Sequence, residues 1–211
     1  MSSSPSLFLF APGAGAPTSS RWMVAWRQRL ATLGDVVAFD YPYMLAGRRS
    51  PDRPPALIAA HREALARAVA AAAGPRRVFL IGKSMGGRIG CHLAVDDPGH
   101  PIAGLICLGY PLRSASSGAL RDQVLVALRT PILFVQGTRD PLCALDELAA
   151  VRARMTAPNQ LHVVEGGDHS LEVSAAQRKA SGQTQADTDA RVLEEIGSFV
   201  AAPRGDEPGN G

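Results

Sequence analysis

Short, almost wholly apolar runs recur along this chain, and the helical patterns that separate them limit the fold more than any other feature. Val78-Phe79-Leu80-Ile81 and Ile132-Leu133-Phe134-Val135 contain no polar residue at all, so a strand built from either must be covered on both faces. Six segments read as strands: 6–10, 36–39, 77–81, 104–108, 131–136 and 161–164. Between them lie helical patterns at 21–33, 54–73, 85–95, 144–155 and 189–201. The longest sets Leu57, Ile58, Leu65 and Val69 on one side and pairs Glu63 with Arg67 at i,i+4 on the other. It stops at Gly74-Pro75, and 21–33 stops at Gly34 in the same manner. Strands alternating with helices predict an α/β fold, a mostly parallel six-stranded sheet flanked by helices. One domain is expected over 1–201, followed by a flexible C-terminal tail at 202–211 that is rich in Pro, Gly and charge.

The bulk properties remove several function classes. With 211 residues, 46% apolar and 19% charged, the chain suits one globular core. No apolar run reaches the ~18 residues of a spanning helix. The first five residues carry no basic side chain, and Leu7 to Phe10 is too short for the core of a signal peptide. A cytoplasmic location and no membrane partner are therefore expected. Cys91, Cys107 and Cys143 are odd in number and widely spaced, which fits buried thiols and gives neither a disulfide framework nor a metal site. The net charge is +3, but basic and acidic residues are interspersed, which argues against a nucleic-acid partner. The one local concentration of cations is Arg48-Arg49-Ser50-Pro51-Asp52-Arg53.

Chemistry concentrates behind the strands. Gly82-Lys83-Ser84-Met85-Gly86 fits G-x-S-x-G between an apolar strand and a helix, where a serine on a sharp turn is presented as a nucleophile. Small residues are needed because that turn brings backbones together, and the N–H of Met85 at the helix start can stabilise negative charge. Of five histidines, His61 is assigned to the polar side of a helix, His92 to the helix after Ser84, His100 to a loop and His162 to a strand. Only His169, in Glu165-Gly166-Gly167-Asp168-His169, follows the C-terminal end of a strand, the edge where sites form in parallel sheets. Asp140, after the fifth strand, is the expected carboxylate partner, although Asp before Pro also starts turns. Asp168 and Asp40 are less well placed. The order Ser84, Asp140, His169 matches that of α/β-hydrolase triads. Ala11-Pro12-Gly13-Ala14-Gly15 after the first strand can supply a second oxyanion donor, Ala14 or else Gly15. It lacks the later glycine of a dinucleotide loop and the Lys-Ser/Thr of a P-loop, so no nucleotide cofactor is implied.

These motifs resemble the α/β-hydrolase superfamily from Ser6 to about Ala201. Gly82-Lys83-Ser84-Met85-Gly86-Gly87-Arg88 and the Gly47-Arg48-Arg49 loop resemble a compact branch related to dienelactone hydrolases. That branch also includes a hydrolase-like domain in a subunit of the nonspecific-lethal histone acetyltransferase complex. The resemblance implies catalytic roles for Ser84, Asp140 and His169, oxyanion donors at Met85 and Ala14, and no cofactor or metal. Two departures stand out: Pro12 where many relatives have His, and Ser84 where dienelactone hydrolases have Cys, which argues against dienelactone as substrate. The span 110–130, where relatives insert a lid, has room for one short helix. The expected function is a serine hydrolase for small or exposed acyl substrates, the alternatives being a non-catalytic binding module or a thioesterase or peptidase. Arg48 and Arg49, with Lys83 beside the nucleophile, are candidates for a positive lip that binds anionic esters; Arg53 and Arg88 could add to it.

Overall fold

The computed structural model describes residues 5–100 and 102–202. The chain forms β1 (Ser6–Ala11), α1 (Arg21–Leu30), β2 (Asp35–Ala38), α2 (Pro42–Leu45), α3 (Pro54–Ala71), β3 (Arg77–Lys83) and α4 (Met85–Asp96). It continues through β4 (Ile102–Leu108), α5 (Gln123–Ala127), β5 (Ile132–Gly137), α6 (Leu145–Arg152), β6 (Asn159–Val164), α7 (Ala175–Ser181) and α8 (Gln185–Ala201). Every strand pair is parallel, in the order β2-β1-β3-β4-β5-β6. All six expected strands are present. Beyond Ala202 the expected tail lies outside the described residues.

Alternation along the central strands divides the core into two layers. Leu7, Leu9, Val78, Leu80, Leu105, Cys107, Ile132 and Phe134 face one cluster with α3, α4, α5 and α6. Their neighbours Phe8, Phe10, Phe79, Ile81, Ile106, Leu108, Leu133 and Val135 face the other, with α1 and α8. This is the arrangement the apolar runs demand, because a strand with no polar face must be roofed twice. Right-handed crossovers explain which helix goes where. The chain moves outward from β1 to β2, then reverses past β1 to β3, so α1 and α3 land on opposite faces. That reversal opens a crevice at the C-terminal ends of β1 and β3, the place where open α/β sheets bind ligands.

Several boundaries differ from the sequence expectations. The first helix ends at Leu30, not residue 33, and the last begins at Gln185, because Thr184 and Asp187 form a capping box there. The short helices α2 and α7 were not foreseen. In α3 the buried stripe is Leu57, Ile58, His61, Ala64, Leu65 and Ala68, while Val69 is 45% exposed. His61 is thus not on the polar side. It stands one turn from both Leu57 and Leu65, and the polar label of its ring concealed a core position. The Glu63–Arg67 pair forms at 3.6 Å on the outer face. All three cysteines are free and buried. No helix among the described residues is long and apolar enough to cross a membrane.

The His61 ring accepts one contact, Tyr41 Oη at 3.3 Å from Nδ1, and its Nε2 has no partner. Burial drives its pKa from 6.5 down to about 3, so the folded protein refuses a proton that the unfolded chain accepts. Above about pH 6.5 this costs nothing. As pH falls from there towards 3, stability drops by up to ~1.4 kcal/mol per pH unit. His61→Gln, which does not titrate in that range, will flatten the pH dependence of urea unfolding between pH 7 and 5. Equal slopes for the two proteins would contradict the assignment.

Candidate active site

Ser84 occupies a turn that few side chains tolerate, with φ 49 and ψ −113. β3 runs straight into it and α4 starts at the next residue, with Arg88 N–H donating to Ser84 O at 3.1 Å. The turn holds because neighbouring positions lack side chains. A Cβ on Gly82 would sit 2.1 Å from Gly87 N, and one on Gly86 would sit 2.5 Å from Ala11 O. Backbone cannot retreat from such contacts. Ser84 N–H donates to Leu108 O at 3.0 Å, which extends the sheet ladder to the turn itself.

The structure brings Ser84, Asp140 and His169 together at the C-terminal edge of the sheet. His169 Nε2 lies 2.8 Å from Ser84 Oγ, and His169 Nδ1 lies 2.7 Å from Asp140 Oδ2. Asp140 is buried, and its carboxylate also accepts from Leu142 N–H at 2.8 Å and from the Gln136 side-chain amide. Gln136 is itself fixed, because its Oε1 accepts from Tyr110 N–H at 3.0 Å. The donors around Asp140 set the imidazole tautomer: Nδ1–H donates to the carboxylate, which leaves Nε2 free to accept the Ser84 proton. A serine hydroxyl so placed can be deprotonated as it attacks an electrophilic carbon.

The other expected residues are distributed differently. Met85 is the first residue of α4, with its N–H at the positive end of the helix. Ala14 is exposed on the loop above, which is pinned at two points. Tyr43 Oη donates to Ala14 O at 3.0 Å, and Asp40 accepts from Thr18 N at 2.7 Å and Thr18 Oγ1 at 3.1 Å. Gly13 lies close to Ser84, a Cβ built on it ending 3.6 Å from Ser84 Cβ. Lys83 donates to His169 O at 2.8 Å. Burial pushes its amine down to about 8, against the raising influence of Asp140, Asp168 and Glu172.

The basic loop corrects an expectation. Arg48 pairs with Asp52 at 2.7 Å on the exposed surface, Arg49 is exposed, and neither borders the cavity beside Ser84. Arg53 is the N-cap residue of α3, and Arg88 contacts His92 at 3.3 Å. The positive lip therefore does not form; of its candidates only Lys83 reaches the cavity. That cavity, of about 420 Å³, is bounded by Gly13 to Ala16, Ser20, Trp22, Met23, Lys83, Ser84, His169, Ser170 and Glu172. None of these comes from 110–130, where α5 is the one short helix. A second cavity of about 380 Å³, at the opposite end of β3 and β4, is lined largely by aliphatic residues. Residues 4–201 match the family model of the α/β hydrolase domain.

The chain belongs to the α/β hydrolase family. Among solved structures it is similar to an α/β serine hydrolase homologue from Coxiella burnetii, with TM-score 0.67, 17% identity, and 90% of this chain and 85% of that one covered. Est1E from Butyrivibrio proteoclasticus gives TM-score 0.66 at 15% identity over 94% of this chain and 90% of its own. A dienelactone hydrolase from Anabaena variabilis gives 0.64 at 15% over 93% and 85%. Sequences this far apart share the fold, and the site must be argued from its own residues.

Sequence reasoning missed Gln136 and Trp22, and weighed Asp40 only as a partner for His169 rather than as the anchor of the Thr18 loop. Gln136 had a signal, a single polar residue ending the apolar run of β5. The turn at Ser84 yields a stability prediction for this α/β hydrolase. A positive φ at a residue bearing a Cβ stores strain that glycine does not. Ser84→Gly will therefore be more stable than Ser84→Ala by about 1 kcal/mol, or about 2–4 °C in melting temperature. Calorimetry of the two variants reads the difference, and an alanine variant as stable as the glycine one would remove the strain.

Proposed function

We propose that the protein is a serine hydrolase acting on small or exposed carboxylic esters through an acyl-enzyme intermediate. The observation that carries this reading is the continuous chain Ser84 Oγ–His169–Asp140, with distances of 2.8 and 2.7 Å. Ser84 Oγ attacks the ester carbonyl while its proton passes to His169 Nε2. Asp140 holds the ring and stabilises the imidazolium. The tetrahedral oxyanion is met by the N–H groups of Met85 and Ala14. Collapse breaks the bond to the alcohol, which leaves with the proton from Nε2. Water then attacks the acyl-enzyme, giving its proton to Nε2, and Ser84 takes that proton back as the acid departs. No cofactor or metal takes part in this sequence.

The substrate range follows from the roof. No residue of 110–130 covers the cavity, so its apolar wall is confined to the side formed by Ala14, Ala16, Trp22 and Met23, and short or exposed acyl groups are favoured. Fluorophosphonate labelling tests the nucleophile. The intact protein will be labelled and Ser84→Ala will not. Asp140→Asn will fold normally yet lose on the order of 10⁴-fold in kcat on a short ester, since the amide no longer selects the productive tautomer. Absence of labelling in the intact protein would instead support a binding module on the same fold.

A further inference from the structure

The His169 loop is held from outside by two side chains that the reaction above does not use. After β6 the chain passes through His169 and Ser170 to Leu171, a buried residue in the left-handed region at φ 64. A branched side chain is strained there, so the loop relies on its surroundings to keep that conformation. Its two successive carbonyls are both taken by side chains from other elements. Lys83 Nζ donates to His169 O at 2.8 Å, and Trp22 Nε1 donates to Ser170 O at 2.9 Å. The two donors also meet each other, with Nζ lying 5.1 Å from the centre of the Trp22 ring. A third support is bare backbone. A Cβ at Gly109, at the end of β4, would come 2.5 Å from His169 O, and Gly109 itself has φ 67. Asp168 Oδ1 closes the loop internally by accepting from Ser170 N at 2.7 Å and Glu172 N at 3.0 Å.

We propose that Lys83 and Trp22 are positioning residues that clamp the His169–Ser170 backbone and so hold the imidazole in line with Ser84 Oγ. This rests on the serine hydrolase reading. Asp140 holds only the Nδ1 edge of the ring, and the Nε2 contact to Ser84 is the one the reaction must remake, so these two bonds alone do not fix where the ring's backbone sits. Fixing the two carbonyls that directly follow the ring's own Cα restricts that freedom. Lys83 directly precedes Ser84 in the strand-to-helix turn, so a shift of the nucleophile and a shift of the base are mechanically coupled. Misplacement by about 1 Å at such a site costs on the order of 10²-fold in rate. The chemistry of Lys83 fits the role. Its partner is a neutral carbonyl although Asp140, Asp168 and Glu172 lie near enough to influence it, so its ammonium serves the loop in preference to an ion pair.

The test measures kcat and KM on a short neutral ester, melting temperature, and the downfield proton resonance of the His169 Nδ1–H bond. Lys83→Met is expected to lower kcat about 10- to 100-fold with KM changed less than kcat, and to broaden or shift that resonance. Lys83→Arg, which can still donate to the carbonyl, will recover part of the rate. Trp22→Phe removes the indole N–H and keeps an aromatic ring in the cavity, and will reproduce the loss in kcat. Its combination with Lys83→Met will cost less than the product of the two single losses, because both act on one loop. Variants that keep wild-type kcat and an unaltered Nδ1–H resonance would overturn the clamp, as would a rise in KM alone. If the intact protein hydrolyses no ester, the hydrolase reading falls, while the resonance in Lys83→Met still decides whether Lys83 holds the imidazole.

Discussion

Backbone reversing at Ser84 in a conformation that L-residues avoid is the constraint around which the molecule is arranged. The turn is possible only where β3 and α4 can touch with nothing between them, and Gly82, Gly86 and Gly87 provide that contact. Its strain is sustained by what lies on either side. β3 is one of the two central strands, with β1 and β4 as neighbours and helices on both faces. Local strain of this kind persists only where surrounding packing over-determines it. The same geometry raises a hydroxyl above the sheet edge and aims the first N–H groups of α4 at the space beside it. Strain, the raised hydroxyl of Ser84 and the N–H groups beside it are thus one structural feature.

The second organising element is a file of polar groups that begins in the backbone just after β4 and ends at the solvent. Tyr110 N–H bonds Gln136, Gln136 bonds Asp140, Asp140 bonds His169, and His169 meets Ser84. Each member would be costly to bury alone. In sequence the satisfied partners remove that cost and leave every group with one orientation. His61 makes the contrast. It is more enclosed, fully buried where the His169 side chain is partly exposed, and has one weak partner and an orphan nitrogen, so burial makes it resist protonation. Two histidines in one small fold are separated in role by the number and charge of their neighbours.

What the sequence made legible follows the same physics. The four central strands were readable because burial on both faces forces apolar runs, and no other short element of a soluble domain requires them. The edge strands were less sharp. β6 begins at Asn159, half-buried, and Gln160, exposed, whose polar side chains hid two residues of the strand. Ser84, Asp140 and His169 could be picked out because each lies in a Gly-rich turn at the end of a strand, and parallel strands deliver all such ends to one edge. The supports could not. Trp22 and Ser170 are 148 residues apart and Lys83 and His169 are 86 apart. No local pattern reports a contact across three elements. Thr184 and Asp187 were different, a capping signal present in the sequence and passed over. His61 was misplaced because a polar ring was weighed above its spacing from Leu57 and Leu65.

Charge is used differently outside and inside. Arginine dominates the cations, and the structure shows where much of it goes. Arg29 pairs with Asp189, Arg62 with Asp97, Arg76 with Asp35, Arg154 with Asp122 and Arg113 with Glu147. Exposed pairs of this kind are each worth roughly 0–1 kcal/mol, so they tie elements together without building a basic face. Arg48, which seemed placed to meet an anion, is committed to Asp52 in the same way. Lysine occurs only at Lys83 and Lys179, and at Lys83 a compact ammonium on a flexible stem meets the His169 carbonyl. A guanidinium prefers a planar, two-pronged acceptor such as a carboxylate. A single backbone carbonyl beside a tryptophan face presents one lone-pair direction and a quadrupole, and an ammonium satisfies both at once. One of the two lysines thus ties the His169 loop to the end of β3 next to Ser84, while at the start of the same strand Arg77 meets the Val200 and Ala202 carbonyls over the Phe79 ring.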